Sequence, residues 1–158
     1  MRIDYLENHP GHAATLAGWH HAEWKDLYAD WTLSVATAEL RDQATRKTLP
    51  TTLVLLDGEE LLGSVSVVME DAPELQSHGS PWLASLYVVE DARGQGLGQA
   101  LVEAAVELAA LNDVPKLHLF TPEHEAFYAD LGWEAIADAD LRGTPVTVMA
   151  IAPVRHAG

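Results

Sequence analysis

Six consecutive residues, Arg93-Gly94-Gln95-Gly96-Leu97-Gly98, have the types and spacing of an anion cradle. Glycine lets the backbone approach a ligand closely. The first amides of the helix that follows have no internal partners and point outward. With the helix dipole they favour phosphate oxygens, and Arg93 can add a charge-assisted contact. Gly-x-Gly-x-Gly alone also fits a strand-to-helix turn that holds no ligand. Two rival phosphate motifs fail on their residues. A P-loop needs Gly-x-x-x-x-Gly-Lys-Ser/Thr, and no lysine follows these glycines. A dinucleotide site would place its glycines after the first strand, with an acid ending the next. Here the loop comes late, and Lys116 to Thr121 ends without an acid.

Other chemistries are excluded by composition. The chain has no cysteine, so a disulfide framework, a thiolate nucleophile and a sulfur-built metal site are ruled out. His20-His21 and His9/His12 do not suggest a metal: adjacent helical residues face different ways, and no carboxylate–histidine pattern completes a ligand set. A formal charge of −15 argues against a nucleic-acid partner, which needs clustered Lys and Arg. The same charge tolerates a cationic partner. The segment Met1 to His12 has no apolar run of a secretory signal. The apolar runs Leu53 to Leu56 and Ala104 to Leu111 fall far short of the roughly 20 residues a membrane helix needs. The expectation is a cytoplasmic protein with no membrane partner, folded as one domain over residues 1–158.

The elements around the glycine loop follow from hydrophobic period. Arg2 to Leu6 predicts a first strand. Apolar residues from about His12 to Trp31 have helical spacing, and Ser34 or Thr37 would cap a second helix reaching about Lys47. Thr51 to Leu56 and Leu61 to Met69 read as strands joined by the turn signal Asp57-Gly58. Glu70 to Ser80 reads as a loop and Trp82 to Val89 as a strand. Gly98 to Leu111 is an amphipathic helix with Leu101, Ala104, Ala105 and Leu108 on one stripe. Leu117 to Thr121 is a short strand. Thr121-Pro122 predicts a helix start, and Gly132 a helix stop. Trp133 to Ile136 and Val146 to Ile151 close the chain as strands. That order predicts a mixed-sheet α/β domain.

In this setting the RGQGLG segment, following the strand LYVVEDA, resembles the Arg/Gln-x-x-Gly-x-Gly/Ala segment of the GNAT acetyltransferase superfamily. Downstream, EAFYADLGWE (Glu125 to Glu134) is similar to that family's helix ending in Phe-Tyr-x-x-x-Gly-Phe/Tyr, with Trp133 in the aromatic slot. The two blocks occur in the family's order and spacing, and the clear resemblance runs from about Leu61 to Ala137. It implies a mixed, mostly antiparallel sheet of six to seven strands, splayed at the cofactor site, with about four helices. It also implies an N-acetyltransferase that uses acetyl-CoA, without a metal. Its acceptor would be a small-molecule amine or a protein or peptide N-terminus. A non-catalytic CoA-binding sensor or interaction module on the same fold is the alternative. A homodimer through the C-terminal strands is compatible with either.

Carried over residue by residue, the resemblance implies that the backbone of Leu86 and Val88 pairs with the pantetheine arm. Gly94, Gln95, Gly96 and Gly98 would offer amides to the pyrophosphate beside Arg93, with Gln99 at the helix start. Tyr128 corresponds to the tyrosine that often protonates the departing thiolate, a role a phenol near pKa 10 can fill at pH 7; on position alone it is a core aromatic. A proton acceptor is also needed. Neutralising an alkyl ammonium of pKa about 10.4 costs about 4–5 kcal/mol at pH 7, and a peptide α-amine about 1 kcal/mol. Glu70 and Asp71 end a strand expected to neighbour the cofactor strand, and Glu23 lies on the helix that lines the family's acceptor cleft. Each is equally a solvated surface acid, and His118 equally a satisfied sheet histidine. Some relatives carry a base on the cofactor strand, where Trp82 and Ala84 cannot serve.

Overall fold

The computed structural model describes residues 1–28 and 30–154. Its strands are β1 (Arg2–Tyr5), β2 (Thr51–Asp57), β3 (Glu60–Val68), β4 (Trp82–Val88), β5 (Leu117–Thr121), β6 (Glu134–Leu141) and β7 (Thr144–Ile151). Its α-helices are α1 (Ala13–Trp24), α2 (Leu33–Gln43), α3 (Leu97–Leu111) and α4 (Glu125–Ala129). The strands form one seven-stranded sheet in the order β1-β2-β3-β4-β5-β7-β6. Every neighbouring pair is antiparallel except β4 and β5. The mixed, mostly antiparallel sheet expected from the sequence is therefore observed.

Strand alternation divides the core between the two faces. Leu53 and Leu55 of β2 turn to one side, where they join Leu101, Val102 and Ala105 of α3 and Tyr128 of α4. Val54 and Leu56 turn to the other, against Leu16 and Ala17 of α1 and Ala36 and Leu40 of α2. The two-residue period of a strand sends successive side chains to opposite faces, so one short strand anchors both helical layers. No helix among the described residues is long and apolar enough to cross a membrane.

Several boundaries differ from the sequence reading, each for a local reason. Helix α1 ends at Trp24 rather than near Trp31. Beyond it Leu27 and Tyr28 pack against the cluster of Trp82, Val146 and Val148, so tertiary contact overrides the helical period. Thr32, not Ser34 or Thr37, caps α2, its hydroxyl accepting from the Val35 amide. That helix stops at Gln43, and the Thr51 hydroxyl donates to the carbonyl of Arg46 beyond it. Thr121 accepts from the amides of Glu123 and His124, which makes a turn of the expected first helical turn and delays α4 to Glu125. Gly132 does close that end. At φ +96° it donates to the Ala129 carbonyl while Trp133 donates to that of Tyr128, a Schellman arrangement.

Strand β4 departs from regular pairing on both sides. Tyr87 pairs with Ser64 and Ala84 with Ser66, so Ser85 and Leu86 together oppose Val65. This is a β-bulge, and Ser85 sits in it at φ +56°. A non-glycine residue there costs about 1–2 kcal/mol, and such outliers gather at functional sites. The bulge also brings β3 close: a Cβ on Gly63 would lie 2.5 Å from the Tyr87 carbonyl oxygen, so only glycine fits. On its other side β4 meets β5 only at the register pair Trp82 and His118. Beyond Leu83 its edge toward β5 carries no further pairing among the described residues.

Candidate active site

The unpaired edge of β4 forms one wall of a cleft of about 880 Å³. Toward its C-terminal end β4 runs through a short 3-10 turn, Glu90–Ala92, into the glycine loop. Gly94 and Gly96 adopt φ +81° and +78°. A Cβ on either would meet no protein atom within 4 Å, so the backbone conformation, not crowding, demands glycine. The first helical bond of α3 closes from the Ala100 amide to the Gly96 carbonyl. The amides of Leu97, Gly98 and Gln99 thus precede any intrahelical acceptor. The space in front of the loop is open and its donors have no partner among the described residues, so the residues present fit a phosphate-bearing ligand.

Leu86, Val88, Arg93, Gly94, Gly96, Gly98 and Gln99 all line this cleft, as do Tyr128, Glu70 and Glu23. One cleft therefore brings together residues spread over more than a hundred positions. Gln95 is the exception: it borders a separate depression with Met1 and Trp19. Arg93 is turned back onto the strand. Its Nε donates to the Val88 carbonyl at 2.8 Å, and its guanidinium lies 5.6 Å from the Tyr87 ring centre. Gln99 is exposed and donates to Glu103.

Tyr128 is buried, with its ring edge-on to Phe127 and Trp133. Burial raises its hydroxyl to about 12, so it stays protonated through the neutral range. Glu23 and Glu70 are exposed. His118 lies outside the cleft lining: it is buried against Trp82, its Nδ1 3.2 Å from the Pro81 carbonyl. Trp24 and Trp31 line the cleft, whereas Trp19 does not and stacks near Tyr87.

Along α1, α2 and β3 the cleft wall is built from groups that sequence patterns do not reveal. Burial pushes the Asp71 carboxyl up to about 7. A hydrogen bond from Tyr28 opposes this and the nearby Glu39 charge reinforces it. The Tyr28 hydroxyl donates to Asp71 Oδ1 at 3.1 Å, and Trp31 Nε1 donates to Glu39 Oε1 at 2.8 Å. His20, 2% exposed, has Nε2 2.8 Å from Ser64 Oγ, and burial lowers it to about 4. Thr52 bridges the cleft-lining Gln43 and Ser66 beneath the surface. Among Lys and Arg, only Arg93 borders the cleft within the described residues. Asp71 was visible as a strand-end acid, but nothing in the sequence distinguished it from Glu70. His20 offered only a misleading pair with His21.

Comparison with known proteins agrees with this geometry. No curated protein matches the chain. Solved structures do, over nearly the whole length but at identities that speak to fold alone. An aminoglycoside 6'-acetyltransferase type Ii is 20% identical, with a TM-score of 0.73, over 99% of this chain and 100% of that one. An aminoglycoside 6'-N-acetyltransferase complexed with coenzyme A is 17% identical at 0.74, over 100% of both. A ribosomal-protein-alanine N-acetyltransferase from Brucella melitensis is 18% identical at 0.73, over 96% and 99%. The sequence model of the acetyltransferase (GNAT) family matches residues 16–133, which include the bulged β4, the glycine loop and Tyr128. The chain belongs to the GNAT acetyltransferase family.

Proposed function

We propose that this acetyltransferase is an N-acetyltransferase that moves the acetyl group of acetyl-CoA to a primary amine by direct attack. The observation that carries the reading is the open edge of β4 past Trp82, which runs into a glycine loop and helix start with unspent amides, in one cleft with Tyr128. The amides from Gly94 to Gln99, including that of Gln95, and the Arg93 guanidinium would hold the pyrophosphate. The backbone of Leu86 and Val88 would pair with the pantetheine arm. Leu86 is the more open of the two, because Arg93 already engages the Val88 carbonyl. An acetyl thioester supplies an electrophilic carbonyl carbon and a thiolate leaving group.

The protein's residues then move two protons. The amine nitrogen forms its bond to the carbonyl carbon as the carbon–sulfur bond breaks, and Tyr128 gives its proton to the thiolate. The nitrogen attacks as the free amine and sheds one proton through water toward the cleft carboxylates Glu70 and Glu23, and that proton returns through water to Tyr128. Donors on the β4 bulge would polarise the carbonyl. No covalent acetyl-enzyme is required, in keeping with a chain that has no cysteine. The test is thiol release from acetyl-CoA over a panel containing a simple alkyl amine, a diamine, an amino sugar and an alanyl peptide. Amine-dependent thiol release with a matching N-acetyl product supports the reading. Tight CoA binding with no turnover on any amine would replace it with a non-catalytic CoA-binding module.

A further inference from the structure

Resting on that N-acetyltransferase reading, we infer that Asp71 receives the proton shed by the attacking amine ahead of the other cleft carboxylates, with Tyr28 as its positioning residue. Among the described residues the carboxylates that border the cleft are Glu23, Glu39, Glu70, Asp71 and Glu123. The four glutamates are exposed, and Asp71 alone is half-buried. A carboxyl in water titrates near 4 and holds a proton poorly at pH 7. One withdrawn from water holds it more tightly, because burial disfavours the charged form.

Tyr28 fixes the orientation of this carboxyl. Its hydroxyl donates to Asp71 Oδ1 at 3.1 Å, while Oδ2 has no partner among the described residues. Both side chains border the cleft that also holds Tyr128. Tyr28 packs on the cluster that contains Trp82, so the pair stands at the start of β4. The proposed thioester position is at the bulge, by Leu86, four residues on. At about 3.3 Å per residue the two are on the order of 10 Å apart, a gap that about three water molecules span. The stretch between them suits water. Ala84 contributes only a methyl group, and Ser66, its register partner on β3, brings a hydroxyl to the cleft.

The electrostatics agree with the geometry. Burial pushes Asp71 up to about 7, the Tyr28 hydrogen bond opposes this, and the Glu39 charge, facing it from α2, reinforces it. A group poised there both takes and returns a proton at neutral pH. Burial raises the Tyr28 hydroxyl as well, so it stays protonated and keeps donating. Arg142 and Glu74, paired at 2.7 Å, act on Asp71 only through Tyr28, which feels both charges. The step balances. The free amine nitrogen bonds to the carbonyl carbon as the carbon–sulfur bond breaks, and Tyr128 protonates the thiolate. One nitrogen proton passes through water to Asp71 Oδ2, and from there it returns through water to Tyr128.

The experiment measures kcat against pH at saturating amine, using the acceptor that the parent protein acetylates fastest, for the parent and three variants. In the parent, kcat should fall as pH drops and Asp71 becomes protonated. Tyr28→Phe removes the hydrogen bond that favours the carboxylate, so the fall should move to higher pH. Glu39→Gln removes the charge that disfavours it, so the fall should move to lower pH. Asp71→Asn should abolish that fall and lower kcat at pH 7 by on the order of 10²-fold. Its affinity for acetyl-CoA should be unchanged, and its deficit should shrink as pH rises and the amine loses its proton to solvent unaided. The opposite shifts of Tyr28→Phe and Glu39→Gln test the inference even where Asp71→Asn fails to fold. A fall that stays fixed in both variants, or one that persists in Asp71→Asn, would overturn the inference while leaving N-acetyl transfer intact. Failure of all amines with the parent protein would instead remove the reading on which it rests.

Discussion

The two ends of the cleft are built by different means. At the glycine loop, function lies in the backbone: positive-φ glycines, an open helix start and an unpaired strand edge. At the far end it lies in side chains from α2, β2, β3 and the segments after α1 and β3, tied in pairs across the sheet and helix layer. Backbone donors suit a ligand portion that is always the same, because their geometry is set by the fold and not by residue identity. Side-chain pairs can change one at a time without disturbing the loop. That difference would let one architecture keep the loop while the opposite end of the cleft changes.

Substitutions at the two ends should therefore fail differently. The largest effect is expected at the loop. Gly96→Val forces a branched residue into φ +78° and crowds the amides, so CoA affinity measured by calorimetry should fall on the order of 100-fold. Thermal stability should fall much less. At the far end, Thr52→Val removes the hydroxyl that joins Gln43 to Ser66. It should lower unfolding free energy by about 1–3 kcal/mol in denaturant titrations, with CoA affinity unchanged.

The smallest effect is a change of slope with pH. His20 is held below its unfolded pKa, at about 4. The folded state thus binds fewer protons between about 6.5 and 4, and stability is lost as pH falls through that window. Asp71 is held above its unfolded value, at about 7. The folded state thus binds more protons from about 4 to 7, and stability is lost as pH rises. The two oppose each other. Relative to the parent protein, Asp71→Asn should become more stable as pH rises toward 7, and His20→Gln more stable as pH falls toward 4. Melting temperatures across pH 4–8 read both signs, and matching slopes for the two variants would contradict the burial assigned to one of them.

The same contrast governs what the sequence could reveal. The loop was legible because it is contiguous: six residues, a strand before and a helix after suffice to state its chemistry. Most of the strands, α3 and the Gly132 stop were legible through period and turn residues. The early end of α1 was not, because Leu27 and Tyr28 keep helical spacing and only their contact with the Trp82 cluster shows why the helix stops. The bulge at Ser85 was hidden, since no glycine or proline marks it. The wall formed by α1, α2 and the end of β3 was the least legible part. Asp71 differs from Glu70 only by being shielded and bonded to a tyrosine 43 positions away, and His20 differs from His21 by the Ser64 hydroxyl beneath it. Neither distinction exists along a chain before it folds.

The central claim is that the cleft performs chemistry with Tyr128 as its proton donor, rather than merely holding CoA. The most direct measurement sets turnover of Tyr128→Phe beside its affinity for acetyl-CoA, with the amine that the parent protein uses fastest. The account predicts kcat lower by on the order of 10²-fold with acetyl-CoA affinity unchanged. A Tyr128→Phe protein that turns over at the parent rate would contradict it.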